Sequence, residues 1–226
     1  MSNKLWIFGD SFSAMPKGEF NFPLWQELVA SGLGFTGYEN RAETGVSNDW
    51  IFHEYTTYLN EMEPGDYVII QPTQKYRQWF FEDPTLSNYY LKDLDQHVSK
   101  EQFNAVKQYI THLQRDIIDE LRYAQFILSL ERLSEMAKHV RILVLPGFFG
   151  VAGVQGSLIS ICDGEFDNED HVVRWIKAHD GKDPRPNHMS ETNHKVLADK
   201  ILNFFSTGQP IDLNNGFQKA IINEYK

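Results

Sequence analysis

The sequence predicts an α/β protein in which a parallel sheet carries helices on both faces. Three observations carry that prediction. Strand-forming apolar runs alternate with amphipathic helical stretches along the chain, and parallel strands need long crossovers, usually helices, to connect them. The later strands are unbroken apolar runs of the kind found where both faces of a sheet are covered. The 226 residues, 42% hydrophobic and 14% aromatic, are enough for one substantial core, and no internal repeat or low-complexity linker divides them. A single domain over residues 1–226 is therefore expected.

The elements follow in order. "KLWIFG" reads as the first strand, and "FPLWQELVASGL" as a helix with apolar residues at helical spacing. A short strand near "GYENRA" precedes "SNDWIFHEYTTYLNEM", which opens with Ser47 and Asn48 in capping positions and continues as a helix. "PGDYVIIQP" is a turn followed by a buried β-branched strand, and "VRILVLPG" is another of the same type. Between them, Phe103, Val106, Ile110, Leu113, Ile117 and Leu121 keep helical period, which predicts one long crossover helix or two in series, packed through that stripe. "SETNHKVLADKILNFF" closes the pattern, with Ser190 as cap and Val196, Leu197, Ile201, Leu202 and Phe205 on one face. Two stretches, near 79–103 and 147–187, are irregular insertions, and as they follow strands they belong near the carboxyl edge of the sheet.

Composition narrows the function. A formal charge of −10 and a pI near 5.2, with no basic stripe, argue against binding to a nucleic-acid backbone. No apolar run reaches membrane-spanning length, and the first residues lack a signal-peptide core and cleavage site, so a cytoplasmic protein is expected, with association with a virion also compatible. The one cysteine, Cys162, lies in a polar loop without an adjacent base and reads as a bystander.

The chemistry centres on "LWIFGDSFSAM". A strand running into Gly-Asp-Ser ends at the edge where open α/β sheets keep their active sites, so Ser11 is a candidate nucleophile. Asp10, Ser11 and Ser13 also read as helix caps. A serine nucleophile needs a base, usually His, and donors aimed at the oxyanion. Of the 8 histidines, His188 stands apart, in a turn just before the last amphipathic helix. His53, His112 and His139 fall in helical stretches and His97 and His171 in polar loops, while His194 lies inside the last helix, where a structural role is expected.

These residues carry a resemblance. "FGDSFS", "NRAETGVSN" at 40–48 and "NHMSETNHKVLADKI" at 187–201 resemble, in order and spacing, the first, second and last sequence blocks of the SGNH (GDSL-type) hydrolases. The resemblance covers nearly the whole chain. It implies a three-layer α/β/α sandwich with a flavodoxin-like parallel sheet, cleavage of esters, thioesters or acetylated sugars, Ser11 as nucleophile, and the Ser11 and Gly45 amides as oxyanion donors. No cofactor or metal is implied.

Two positions depart from the family pattern. The third block has no asparagine: "YVIIQP" runs into "TQKYR", where a donor is expected from Thr73 or Gln74, Thr73 first. Arg77 just beyond reads as a site for an anionic substrate group or as a solvated surface residue. In the last block Arg185 occupies the place of the aspartate, so Asp183, or failing it Asp180, is assigned to orient His188 across the turn with Pro184 and Pro186. Trp79, Phe80, Phe81, Tyr89 and Tyr90 read as a platform for a sugar or acyl chain, or as a satellite core. The expected partner is a small-molecule or carbohydrate ester. The altered blocks also fit a non-catalytic member serving as a binding or structural component, for instance in a phage or surface assembly, and a flavin binder would share the sheet order. The sequence sets no oligomeric state.

Overall fold

A computed structural model describes residues 3–15, 22–88, 91–137, 139–148, 151, 153–161 and 189–218. Strands β1 (Leu5–Phe8), β2 (Tyr38–Asn40), β3 (Tyr67–Ile70) and β4 (Arg141–Val144) form one sheet in the order β2-β1-β3-β4. This is the flavodoxin-like order, which turns back at β1/β3. It is a parallel sheet with helices on both sides, as the element order predicts, an α/β fold consistent with the flavodoxin-like sandwich that the resemblance implies. β3 and β4 run parallel in register from Tyr67 opposite Arg141 to Ile70 opposite Val144. Val68, Ile69 and Ile70 are all fully buried, which is why this strand reads as a solid apolar run.

The chain divides into two compact units. One comprises Trp6–Met15 and Asn40–Val144. Its core gathers Trp6 and Phe8 of β1, Val68 and Ile70 of β3, Ile51 and Tyr55 of helix α2 (Asn48–Tyr58), and Phe126 and Leu130 of a later helix. Each such side chain contributes roughly 1.5–3 kcal/mol by leaving water. α2 begins where expected, the Ser47 hydroxyl accepting from the Trp50 amide at 3.3 Å, and passes into a 3₁₀ turn at Leu59–Glu61. Trp6 is anchored at its polar end by a 2.9 Å bond from Nε1 to the buried Asp66 carboxylate.

The long crossover in this unit holds a short helix α3 (Leu91–Leu94) and then two helices in series, α4 (Lys100–His112) and α5 (Asp116–Met136). The predicted apolar stripe is helical but forms the packed face only at its start: Val106 is buried and Phe103 partly buried, whereas Ile110, Leu113, Ile117 and Leu121 are exposed, the last three by more than half. Leu113 ends α4 and Arg115 enters α5 in extended conformation, so the break resets the helical phase. The inward face of α5 is instead Asp119, Phe126 and Leu130, spaced by seven and four residues. The buried Asp119 carboxylate is satisfied by the side-chain amides of Gln78 at 3.0 Å and Gln114 at 2.8 Å. α5 ends before His139, which lies in a turn rather than in a helix.

The other unit comprises Met1–Leu5, Pro16–Glu39 and Leu145–Lys226. Here helix α1 (Trp25–Gly32) packs on helix α6 (Glu191–Thr207) so closely that a Cβ on Gly32 would fall 2.4 Å from Leu202 Cδ1. Ser190 caps α6 through the Asn193 amide at 3.3 Å. α6 buries Asn193, His194, Leu197, Ala198, Ile201 and Phe205, while Val196 and Leu202 sit at the margin of the predicted stripe. His194 is structural, as expected: its Nδ1 accepts from the Trp25 amide at 3.1 Å, satisfying a first-turn donor of α1 that has no cap side chain of its own. A short parallel pair, β5 (Val154–Gln155) with β6 (Ile211–Asp212), completes this unit. Among the described residues no helix is long and apolar enough to cross a membrane.

Candidate functional site

The site is built around the turn that follows β1, within the first of these units. Asp10 is fully buried and accepts three bonds that wrap the chain around Ser11: Phe12 N–H to Oδ1 at 3.1 Å, and Ser13 and Ala14 N–H to the backbone carbonyl at 2.9 and 2.8 Å. The first is an aspartate side chain imitating a backbone turn, with Ser11 as the residue enclosed. No helix begins in residues 10–15, so the capping chemistry seen in this stretch belongs to Asp10 and serves a turn. Ser11 itself is half-buried.

The end of β3 holds that turn from one side. Gln71 Oε1 accepts from the Asp10 amide at 3.0 Å and from the Ser13 hydroxyl at 3.2 Å, and its Nε2 donates to the Pro72 carbonyl at 2.7 Å. The close approach explains Gly9: a Cβ there would stand 2.8 Å from both Cβ and Oε1 of Gln71.

The segment after β2 holds it from another side. The Arg41 and Glu43 amides donate to the Ile7 and Gly9 carbonyls at 2.7 and 3.1 Å, and Asn40 Nδ2 donates to the Ser13 carbonyl at 2.7 Å. Gly45 follows, buried, with φ +81°, a left-handed conformation that side-chain-bearing residues rarely adopt.

Asn48, at the start of α2, joins this segment to the third. Its Oδ1 accepts from the Thr73 amide at 2.8 Å, and its Nδ2 donates to the Thr73 carbonyl at 3.3 Å. Thr73 is fully buried, and its hydroxyl donates to Asp10 Oδ2 in a short hydrogen bond. Both of its donors are therefore directed at protein acceptors. Gln74, the other sequence candidate, uses Oε1 to accept from Arg77 Nε at 3.1 Å, which leaves its Nε2 as the remaining donor of the two candidate side chains. Arg77 is neither solvated nor at the surface: its side chain is 9% exposed and its Nη1 lies 3.3 Å from Asp10 Oδ2.

Ser11, Gly45 and Thr73 are thus carried on three segments bonded to one another. His188, Asp183, Asp180, Arg185 and Cys162 lie outside the described residues, as do Tyr89, Tyr90 and His171. Of the aromatic stretch, Trp79 and Phe80 are partly exposed, Trp79 with its ring 5.3 Å from His53 and Phe80 edge-on to Tyr109 at 5.2 Å. Sequence reasoning missed Asn40, Asn48 and Gln71, and the signal was present in each case: a side-chain amide at or next to an element end, where loose backbone groups need partners. Among the described residues no group of three or more His, Cys, Asp or Glu is placed to hold a metal ion.

No protein-family model matches this chain, and no curated protein does. Among solved structures, protein YxiM from Bacillus subtilis aligns over 95% of this chain at 14% identity and a TM-score of 0.36. The chain spans 44% of that protein's length, and a likeness so distant bears on neither activity nor substrate.

Proposed function

We propose that this protein is a serine hydrolase of the SGNH type acting on ester bonds. The observation that supports this best is the enclosure of Ser11: a buried aspartate turn at the carboxyl end of β1, tied by Gln71 and Asn40 to the two segments that carry the other candidate residues. A nucleophile must be held against its electrophile and its oxyanion donors, and a turn fixed at both flanks gives that preorganisation.

In this reading His188 takes the proton of the Ser11 hydroxyl as its oxygen attacks the ester carbonyl, and Asp183, or Asp180, orients the imidazole. The amides of Ser11 and Gly45 receive the oxyanion. The Thr73 hydroxyl is given to Asp10, so the part of Thr73 is to fix Asp10, and Gln74 Nε2 takes the place of the third donor. The leaving alcohol takes the proton from His188, and water then releases the acid and restores the serine. Positioned proton transfer contributes about 10²- to 10⁴-fold and one oxyanion donor about 10²- to 10³-fold, a combination suited to esters. The substrate class is an acyl or acetyl ester, with a carbohydrate ester favoured by the exposed Trp79 and Phe80.

One observation favours a second reading, a non-catalytic binding or structural component: the donors of Thr73 face inward. Labelling with a fluorophosphonate separates the two. A hydrolase is modified at Ser11, and a binding component is not.

A further inference from the structure

We infer that Arg77 is a positioning residue that locks the three segments of the candidate oxyanion site into one unit. The inference rests on the hydrolase reading of Ser11. One guanidinium reaches all three segments, and it does so at the residues flanking the candidates. Nη1 lies 3.3 Å from Asp10 Oδ2, next to Ser11, and 3.4 Å from the Val46 carbonyl, next to Gly45. Nε lies 3.1 Å from Gln74 Oε1, next to Thr73.

The chemistry of the group matters here. Arginine offers a planar fork of five donors in fixed directions, so one side chain serves several acceptors at once, whereas lysine is a point charge on a flexible stem. Each contact is at the long end of hydrogen-bond geometry, and the burial of Arg77 and Asp10, 9% and 0% exposed at the side chain, keeps water from competing for them. The carboxylate that Arg77 meets is the one that also accepts from Thr73 and closes the turn around Ser11. Displacing the guanidinium therefore loosens the Ser11 turn, the segment after Gly45 and the Gln74 amide together. The bond from Nε also sets Gln74 with its oxygen toward Arg77, which leaves the nitrogen as the end available to an oxyanion.

The test compares wild type, Arg77→Lys and Arg77→Ala for turnover of p-nitrophenyl acetate, with Arg77→Ala repeated in low-millimolar guanidinium chloride. A misplacement of reacting groups by about 1 Å costs about 10²-fold in rate, so kcat should fall by about that factor in Arg77→Ala with KM little changed. Arg77→Lys should recover little of it, and free guanidinium should restore kcat in Arg77→Ala, a rescue that a fold defect does not give. Wild-type turnover that Arg77→Ala retains, or a loss that guanidinium does not relieve, overturns the role of Arg77 and leaves the hydrolase reading standing. A wild type that neither turns over the ester nor takes a fluorophosphonate overturns the hydrolase reading, and the role of Arg77 with it.

Discussion

Gln71 Oε1 stands 3.0 Å from the amide of Asp10, and the side chain that makes this bond leaves no room for any residue but glycine at position 9. The Gln71 contacts that a Gly9→Ala methyl would strike include Cβ and the backbone carbonyl oxygen, which cannot swing aside. Over-packing of this kind costs about 1–3 kcal/mol. Gly9→Ala is expected to lower stability in that range by chemical denaturation and, because the turn carrying Ser11 shifts with it, to reduce turnover more than its stability loss explains at temperatures where it is folded. A variant with wild-type stability and rate would mean that the approach of Gln71 to Gly9 is not tight.

Tyr55 gives an opposite expectation. It is fully buried in the core, its hydroxyl has no hydrogen-bond partner among the described residues, and burial pushes its pKa up to about 12. Removing an unsatisfied buried hydroxyl relieves a desolvation cost of about 1–3 kcal/mol, so Tyr55→Phe should be neutral or stabilising at neutral pH. The pH dependence has a definite sign. Unfolded tyrosine ionises near 10 and the folded one near 12, so the unfolded state loses its proton first and stability falls as pH rises through that window. Tyr38 and Tyr123, raised to about 12 by the same desolvation, Tyr38 with the help of Glu27, act in the same direction. Denaturation curves between pH 10 and 12 should show a shallower decline in Tyr55→Phe than in wild type, and an equal or steeper decline would contradict the assignment.

The proposed base and its orienting carboxylate are separable by kinetics. His188→Ala should lower kcat/KM by about 10²- to 10⁴-fold, the worth of positioned proton transfer. Asp183→Asn should lower it substantially and Asp180→Asn little; the reverse order would assign the orienting role to Asp180. His194→Ala, by contrast, removes the acceptor for the Trp25 amide and should register chiefly as lost stability.

How much of this was legible in the sequence depends on what each residue answers to. β1, β3, β4, α1, α2 and α6 were legible because apolar period and caps are local signals: Ser47 and Ser190 cap where they were expected to. The inward face of α5 was not, since the break at Leu113–Arg115 changes helical phase and a periodic stripe cannot register that. β5 and β6 were missed because two-residue strands carry no period at all. At the candidate site Ser11 and Gly45 could be picked out by motif. The partners of Asp10 could not: Thr73 and Arg77 are 63 and 67 residues away, and only folding sets that Thr73 donates to the carboxylate and Arg77 pairs with it.

Intact-mass spectrometry after treatment with a fluorophosphonate reads out the nucleophile itself, because the reagent reports an activated serine whatever the natural ester is. Wild type should gain a single adduct, mapped by peptide digestion to Ser11, and Ser11→Ala should gain none. An unmodified wild type, or an adduct on a different residue that persists in Ser11→Ala, would mean that Ser11 is not the nucleophile.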